Sequence, residues 1–280
     1  MSECNHNCDD CGHDCSSCGH SGECNHKIEK LVPTSDTHIK KVIAVLSGKG
    51  GVGKSMVTAL LAVELAKAGY KVGVLDSDIT GPSVGKIFGL HDELYGDETG
   101  IFPAVTSLGI KAVSVNMMLD SEDTPVLWRG PVLGGIVKQF YDEVHWGELD
   151  YLLVDMPPGT SDVAISVFQL YPIDQIVMVT TPSKLVSMIV GKTINMANTV
   201  KVPVIGLVEN MAYVKCDNCG HEISLYNNDE TENVCEKYGL ELLAKLPIDP
   251  TLSNLTDEGM IEMYSDHLLD KLVKKVAIDE

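Results

Sequence analysis

From residue 40 onward, short runs of Val, Ile and Leu alternate with longer amphipathic stretches, whereas the first 38 residues show no apolar period. The short runs fall at 42–46, 72–75, 151–154, 175–179, 204–208 and 242–246. They are apolar at successive positions rather than at every second one, as expected for strands covered on both faces. Between them, apolar residues recur at helical spacing over 54–68 and near 130–145, 162–170, 184–200 and 229–239. A closing helix is predicted near 260–276, where Ile261, Tyr264, Leu268, Leu272 and Val276 share a face beside Lys271, Lys274 and Lys275. That face reads as a surface helix docked on the sheet; the same pattern also suits a membrane-surface helix. Alternating β and α elements predict an α/β fold with a mostly parallel central sheet flanked by helices on both faces. Ligands of such sheets bind beyond the carboxyl ends of the strands.

Composition narrows the classes. The chain has 280 residues, 44% of them hydrophobic, which is enough for one large core. It carries 40 acidic against 21 basic residues, a formal charge of −19, so phosphate backbones and anionic lipid surfaces repel it. Neither a nucleic-acid partner nor stable membrane association is expected. No run of about 18 apolar residues is present and the N-terminus has no apolar stretch, so a cytoplasmic location is expected. Nine cysteines then read as metal or redox ligands rather than as a disulfide framework. Six lie between positions 4 and 24, two form Cys216-x-x-Cys219, and Cys235 stands alone in a helical stretch as a small buried hydrophobe. The chain divides into a Cys/His-rich metal-binding extension with its linker at 1–38 and a main domain at 39–280.

The candidate chemistry begins where the first strand meets the first helix. Gly48-Lys49-Gly50-Gly51-Val52-Gly53-Lys54-Ser55 has the phosphate-loop spacing G-x-x-x-x-G-K-[ST], between a strand and a helix as that loop requires. Its glycines let successive N–H groups face a phosphate, and the helix N-terminus adds positive potential. Lys54 is expected on the β- and γ-phosphates and Ser55 on Mg²⁺, with Met56 completing the nucleotide-binding stretch. A third strand ends in Asp155, the candidate metal-holding carboxylate. Met156-Pro157-Pro158-Gly159-Thr160 follows, and Gly159 is placed to bring its N–H toward a γ-phosphate. Asp76 and Asp78 end the second strand two residues apart and therefore on one face. One is expected to support the metal shell and the other to orient the attacking water.

Lys49, directly after the first glycine of the loop, resembles the deviant Walker A of the MinD/ParA/nitrogenase iron protein class of P-loop NTPases. The match narrows at Asp78-Ile-Thr-Gly81-Pro82-Ser83, Trp128-Arg129-Gly130-Pro131, the run from Trp146 through Asp155 to Thr160, Val208-Glu209-Asn210-Met211 and Cys216-Asp-Asn-Cys219-Gly-His221. Together these resemble the Mrp/ApbC group of iron–sulfur cluster carrier ATPases over about residues 40–250. The resemblance implies a homodimer that sandwiches ATP and hydrolyses it slowly, with Lys49 reaching the partner's phosphates. It places the water-positioning carboxylate at Asp78, Asp76 beside the metal, and adenine recognition at Asn210. It also implies a [4Fe–4S] cluster held by Cys216 and Cys219 of two subunits, for delivery to apo iron–sulfur proteins. From the residues alone, Cys-Asp-Asn-Cys-Gly-His is equally half of a zinc knuckle. The alternatives are therefore a zinc-stabilised nucleotide switch and a positioning ATPase like MinD.

The extension resembles the N-terminal four-cysteine cluster site of the eukaryotic-type branch at Cys15-x₂-Cys18-x₅-Cys24 only. Its first ligand would fall on Met1, so Cys4, Cys8 or Cys11 would have to serve. Six thiols with His6, His13, His20 and His26 suit a second cluster, zinc, or a mobile thiol arm.

Overall fold

A computed structural model describes residues 30–78, 81, 83–91, 93–118, 130–216, 218–226 and 229–278, with backbone alone at 130–133, 184–188 and 229. In chain order the elements are β1 (His38–Ser47), α1 (Lys54–Lys67), β2 (Val72–Asp76), α2 (Val84–Ile87), the small hairpin β3 (Gly96–Asp97) and β4 (Gly100–Ile101), β5 (Ala104–Val105) and β6 (Lys111–Ser114). There follow α3 (Gly130–Asp142), β7 (Glu148–Asp155), α4 (Asp162–Leu170), β8 (Gln175–Thr180), α5 (Lys184–Thr199), β9 (Val204–Lys215), β10 (Glu222–Ile223), α6 (Asp229–Tyr238), β11 (Leu242–Pro247), α7 (Pro250–Asp257) and α8 (Asp270–Val276).

Among the described residues, nine strands form one sheet in the order β10-β9-β8-β1-β7-β2-β6-β5, with β11 on β9. Its ladders are parallel except at the two ends, where β10 pairs with β9 and β5 with β6 antiparallel. β1 sits in the middle, bonded to β7 on one side and β8 on the other. Its side chains alternate between two cores. Val42, Ala44 and Leu46 join the core under α3, α4 and α5, while Ile43 and Val45 join the core under α1 and α8. The two-faced burial explains why β1, β7 and β8 read as continuous apolar runs.

Three expectations change. Lys111–Ser114 forms a strand, β6, that the short apolar runs did not announce. Residues 31–38, read as part of a linker, are held on the main domain: Leu31 N donates to Leu170 O (2.8 Å), and Thr34 and Thr37 bond to Val144 O. The closing helix near 260–276 is not one helix. The chain makes α7, a 3-10 turn at Ile261–Met263 and the seven-residue α8. Ile261, Tyr264, Leu272 and Val276 are buried against α1. The intervening chain is pinned by Lys67 Nζ on Tyr264 O (2.6 Å) and Tyr264 Oη on Asp249 (2.7 Å). The 3.6-like spacing thus reports burial of a broken segment. Lys271 and Lys275 pair with Glu241 at 2.9 and 3.1 Å, which ties α8 to the start of β11. No helix among the described residues is long and apolar enough to cross a membrane.

Glu64 of α1 anchors this segment, both its oxygens accepting from Leu269 N (3.0 and 3.2 Å). Burial pushes its carboxyl above the usual 4.5, against the Leu269 N–H and His267, while Asp270 adds to the rise. Because the folded value is raised, Glu64's contribution to stability is complete below about pH 4.5 and is lost as pH climbs through the folded value. Glu64→Gln keeps an acceptor for Leu269 N and has no charge to lose. The variant is expected to flatten the decline in stability above pH 4.5, a decline of at most ~1.4 kcal/mol per pH unit for one proton. Urea unfolding at pH 5 and pH 7.5 measures it; equal pH slopes in wild type and variant would refute this role.

Candidate functional site

β1 ends at Ser47, and the loop Gly48–Gly53 turns the chain into α1. Gly53 is the N-cap of α1 with φ +79°, and Gly51 has the same φ. Gly53 also lies against Asn210: a Cβ there would stand 2.2 Å from Asn210 Nδ2.

Asp155, at the end of β7, is fully buried and collects three donors. Lys54 Nζ lies 2.7 Å from Oδ1, Thr58 Oγ1 donates to the same oxygen (2.8 Å), and Ser55 Oγ donates to Oδ2 (2.5 Å). Lys54 and Ser55, the two side chains expected on phosphate and Mg²⁺, are thus both gathered by the carboxylate expected to hold the metal. Thr58 was not read from the sequence. The signal was available: it sits one turn after Lys54 and so shares its helix face. The hydroxyl of Ser55 and the carboxylate oxygens of Asp155 are the hard oxygen ligands that Mg²⁺ takes, so the donor set fits that ion.

Asp76, directly opposite Asp155 in the β2–β7 register, is also fully buried. Its carboxylate accepts from Asp78 N, Ser83 N, Val84 N and Ser114 Oγ at 2.9–3.1 Å, tying the loop after β2 to β6. Burial, and then the neighbouring Asp155 carboxylate, push Asp76 up to about 7, while Lys54 and the Val84 and Ser83 N–H groups pull it down. In this structure Asp76 therefore organises the loop that presents Asp78. Asp78 itself lines a cleft of about 420 Å³ with Lys54, Ser55, Met56, Pro158 and glycines 50, 51 and 53. Lys86 of α2 and Thr256 and Asp257 of α7 also line the cleft, Asp257 from the acidic turn Asp257-Glu-Gly-Met, whose sequence did not announce this place.

The remaining residues fall in three places. Lys49 is exposed at the loop's outer face. Gly159 N–H donates to Ser47 O (2.8 Å), so here it faces the P-loop backbone rather than the cleft. Asn210 is buried, its Nδ2 donating to Val52 O (2.9 Å) and its Oδ1 accepting from Met211 N (2.9 Å). Here its carboxamide holds the phosphate loop.

Cys216 follows β9 directly, and Cys219 is exposed in the turn toward β10. The turn is closed by Cys216 N on His221 O (2.9 Å) and Gly220 N on Cys216 O (2.8 Å). Among the described residues, the one group of three ligand-type side chains within 4.8 Å of one another is Glu64, His267 and Asp270. Cys216, Cys219 and His221 do not converge in that way. Cys235 is buried in the core and burial raises its thiol's pKa, as expected of a small hydrophobe. Cys15, Cys18, Cys24 and the rest of the tail, with Pro82, Trp128 and Arg129, lie outside the described residues.

A family model described as ParA: NUBPL iron-transfer P-loop NTPase matches residues 38–279. The chain belongs to this family. Iron–sulfur cluster carrier proteins are among its similar relatives. One from Clostridium perfringens is 45% identical over 251 residues, which is 87% of this chain and 88% of the relative. Another, from Saccharolobus solfataricus, is 44% identical over 224 residues, 79% and 76% of the two chains. A solved nucleotide-binding protein from Archaeoglobus fulgidus, in complex with ADP, superposes with a TM-score of 0.73 at 43% identity, covering 81% of this chain and 90% of its own. The cell division ATPase MinD of Pyrococcus furiosus shares the fold, with a TM-score of 0.62 at 22% identity over 85% and 98% of the two chains. The protein is thus an iron-transfer P-loop NTPase of the cluster carrier type, built on the MinD/ParA-like sheet that its loop and strand pattern anticipated.

Proposed function

We propose that this iron-transfer NTPase works as a cytoplasmic homodimer that hydrolyses ATP and carries a [4Fe–4S] cluster, its cargo, between Cys216 and Cys219 of two subunits. One observation supports this most: the phosphate loop and the two-thiol turn project from the same carboxyl edge of one parallel sheet. Two thiolates per chain fall short of the four that such a cluster takes, and a two-fold axis supplies the rest. Exposure of Cys219 leaves the cargo open to an acceptor apo-protein. The Cys/His-rich part of residues 1–38 is then an extension that holds a second cluster or zinc.

In hydrolysis, Lys54 leaves Asp155 to neutralise charge on the β- and γ-phosphates, and the loop N–H groups from Gly48 to Ser55 bind the same oxygens. Ser55 and Asp155 hold Mg²⁺, which when bound supplies charge neutralisation at the phosphates. Asp78 orients the attacking water, positioned by a loop that Asp76 ties to β6. Lys49, exposed at the outer face, reaches the partner's nucleotide. Asn210 serves adenine recognition from beside the loop, and Gly159 turns its N–H to the γ-phosphate when the Ser47 bond is exchanged.

Cys219→Ser tests the cargo site. Anaerobically reconstituted variant is expected to lose about four irons and four sulfides per dimer, and with them cluster transfer to an apo acceptor. It should still bind ATP. Iron and acid-labile sulfide assays check this, and wild-type content in the variant would place the cargo elsewhere.

A further inference from the structure

β9 joins the two halves of the site in one strand. Its pairing with β8 ends at Glu209. Asn210 follows, and there the carboxamide bonds in two directions: Nδ2 to Val52 O of the phosphate loop, and Oδ1 to the N–H of Met211. Met211 has φ +56°, a left-handed conformation that a side chain such as methionine rarely adopts. Asn210 Oδ1 therefore holds a kink in the strand while Nδ2 holds the loop.

Beyond the kink the strand is braced. Tyr213 pairs with Pro247 of β11 and accepts from Ile248 N (2.8 Å), and Val214 and Lys215 pair with Ile223 and Glu222 of β10. Cys216 comes next. Six residues separate Asn210 from Cys216, about 20 Å of extended chain. A displacement of Val52 and Gly53 would reach the kink through one buried side chain. The pairings beyond the kink would carry it on to the thiol turn.

We propose that Asn210 is a positioning residue that couples the nucleotide state of the phosphate loop to the geometry of the Cys216/Cys219 turn within one subunit. This rests on the reading of those two sites given above, and it adds the route between them. Nucleotide engaging the N–H groups beside Val52 shifts the Asn210 carboxamide, the Met211 kink follows, and the spacing of the thiols changes with it. The left-handed residue is what makes the joint bistable: without the Oδ1 bond, Met211 favours ordinary extended backbone.

The experiment reads the thiols of the full-length chain freed of iron and zinc, so it does not depend on cluster loading. Alkylation rates of Cys216 and Cys219 are followed by mass spectrometry with no nucleotide and with magnesium and ATP at a concentration shown by titration to saturate each variant. In the wild type, nucleotide is expected to change the rates about fivefold or more. In Asn210→Ala the ratio is expected to fall below about twofold. Met211→Gly leaves the Val52 bond in place and frees the kink, since glycine takes positive φ without cost. It is expected to lower the ratio too, and carries the test alone if thermal unfolding shows Asn210→Ala to be unfolded. A nucleotide effect absent from the wild type, or retained in full by the folded variants, overturns the proposal. Cluster content of the wild type, assayed separately, reports on the cargo reading and leaves this result standing either way.

Discussion

Asp155→Asn is expected to cost the nucleotide-free fold about 3 kcal/mol and to lower ATP hydrolysis by at least ~100-fold. The first figure follows from burial. Lys54 is 6% exposed and Asp155 is not exposed at all, and their charges meet at 2.7 Å. Removing one charge leaves the other in a site it entered only as a pair, and that asymmetry makes breaking a buried pair expensive. Part of the loss is offset nearby. The Asp155 charge helps to hold Asp76 up near 7, so its removal lets Asp76 ionise more readily and face Lys54 in its place. The second figure follows from what Asp155 organises: Ser55 and Lys54 both take their positions from it. Nucleotide phosphates give Lys54 a new counter-charge, so saturating ATP should narrow the stability gap between variant and wild type. Thermal unfolding with and without ATP, beside a steady-state hydrolysis assay, checks both parts. A variant as stable as wild type without nucleotide would show that the buried Lys54–Asp155 pair does not stabilise the nucleotide-free fold.

Gly53→Ala is expected to weaken ATP binding by more than ~100-fold. Two costs combine. At φ +79° an L-residue is strained by ~1–2 kcal/mol. The new methyl would also fall 2.2 Å from Asn210 Nδ2, so the buried bond from Asn210 to Val52 must break, at ~1–3 kcal/mol. Relaxing either strain moves the N–H groups that face phosphate. Gly51→Ala separates the contributions. It has the same φ but open space around the added carbon, so its fold loses only the conformational share. Calorimetric titration with ATP and thermal unfolding of both variants give the comparison. Equal unfolding temperatures would mean that the Asn210 contact carries no weight.

Much of the fold was legible because burial on both faces writes itself into sequence as unbroken apolar runs. β1, β2, β7 and β8 were read within a few residues of their bounds, and α1, α4 and α5 nearly end to end. β6 was missed because Lys111-Ala-Val-Ser is four residues long and three of them are small or polar. β9 runs past the predicted 204–208 to Lys215 because its second half pairs with β11 and β10, which a local pattern cannot show. The closing helix failed for the opposite reason. Ile261, Tyr264, Leu272 and Val276 keep helical spacing because all four face α1, while the chain between them is shaped by Lys67, Asp249 and Glu64.

At the site, residues fixed by a motif were readable and residues fixed by the tertiary fold were not. Gly48–Ser55 carries its own chemistry in its spacing. The double role of Asn210 comes from packing against Gly53 and from the kink after it. The part played by Lys86, Thr256 and Asp257 arises because α2 and α7 fold across the cleft from the loop.

The central claim is that two copies of this chain share one cluster between Cys216 and Cys219. Anaerobic native mass spectrometry of the full chain, purified without added metal and run with and without ATP, tests it most directly. The expected species is a dimer carrying the mass of one [4Fe–4S] that disappears in the Cys216→Ser, Cys219→Ser variant, with any remaining cluster mass belonging to residues 1–38. A chain that carries only zinc, or a monomer that keeps a whole cluster after both substitutions and no dimeric form that loses one, would contradict it.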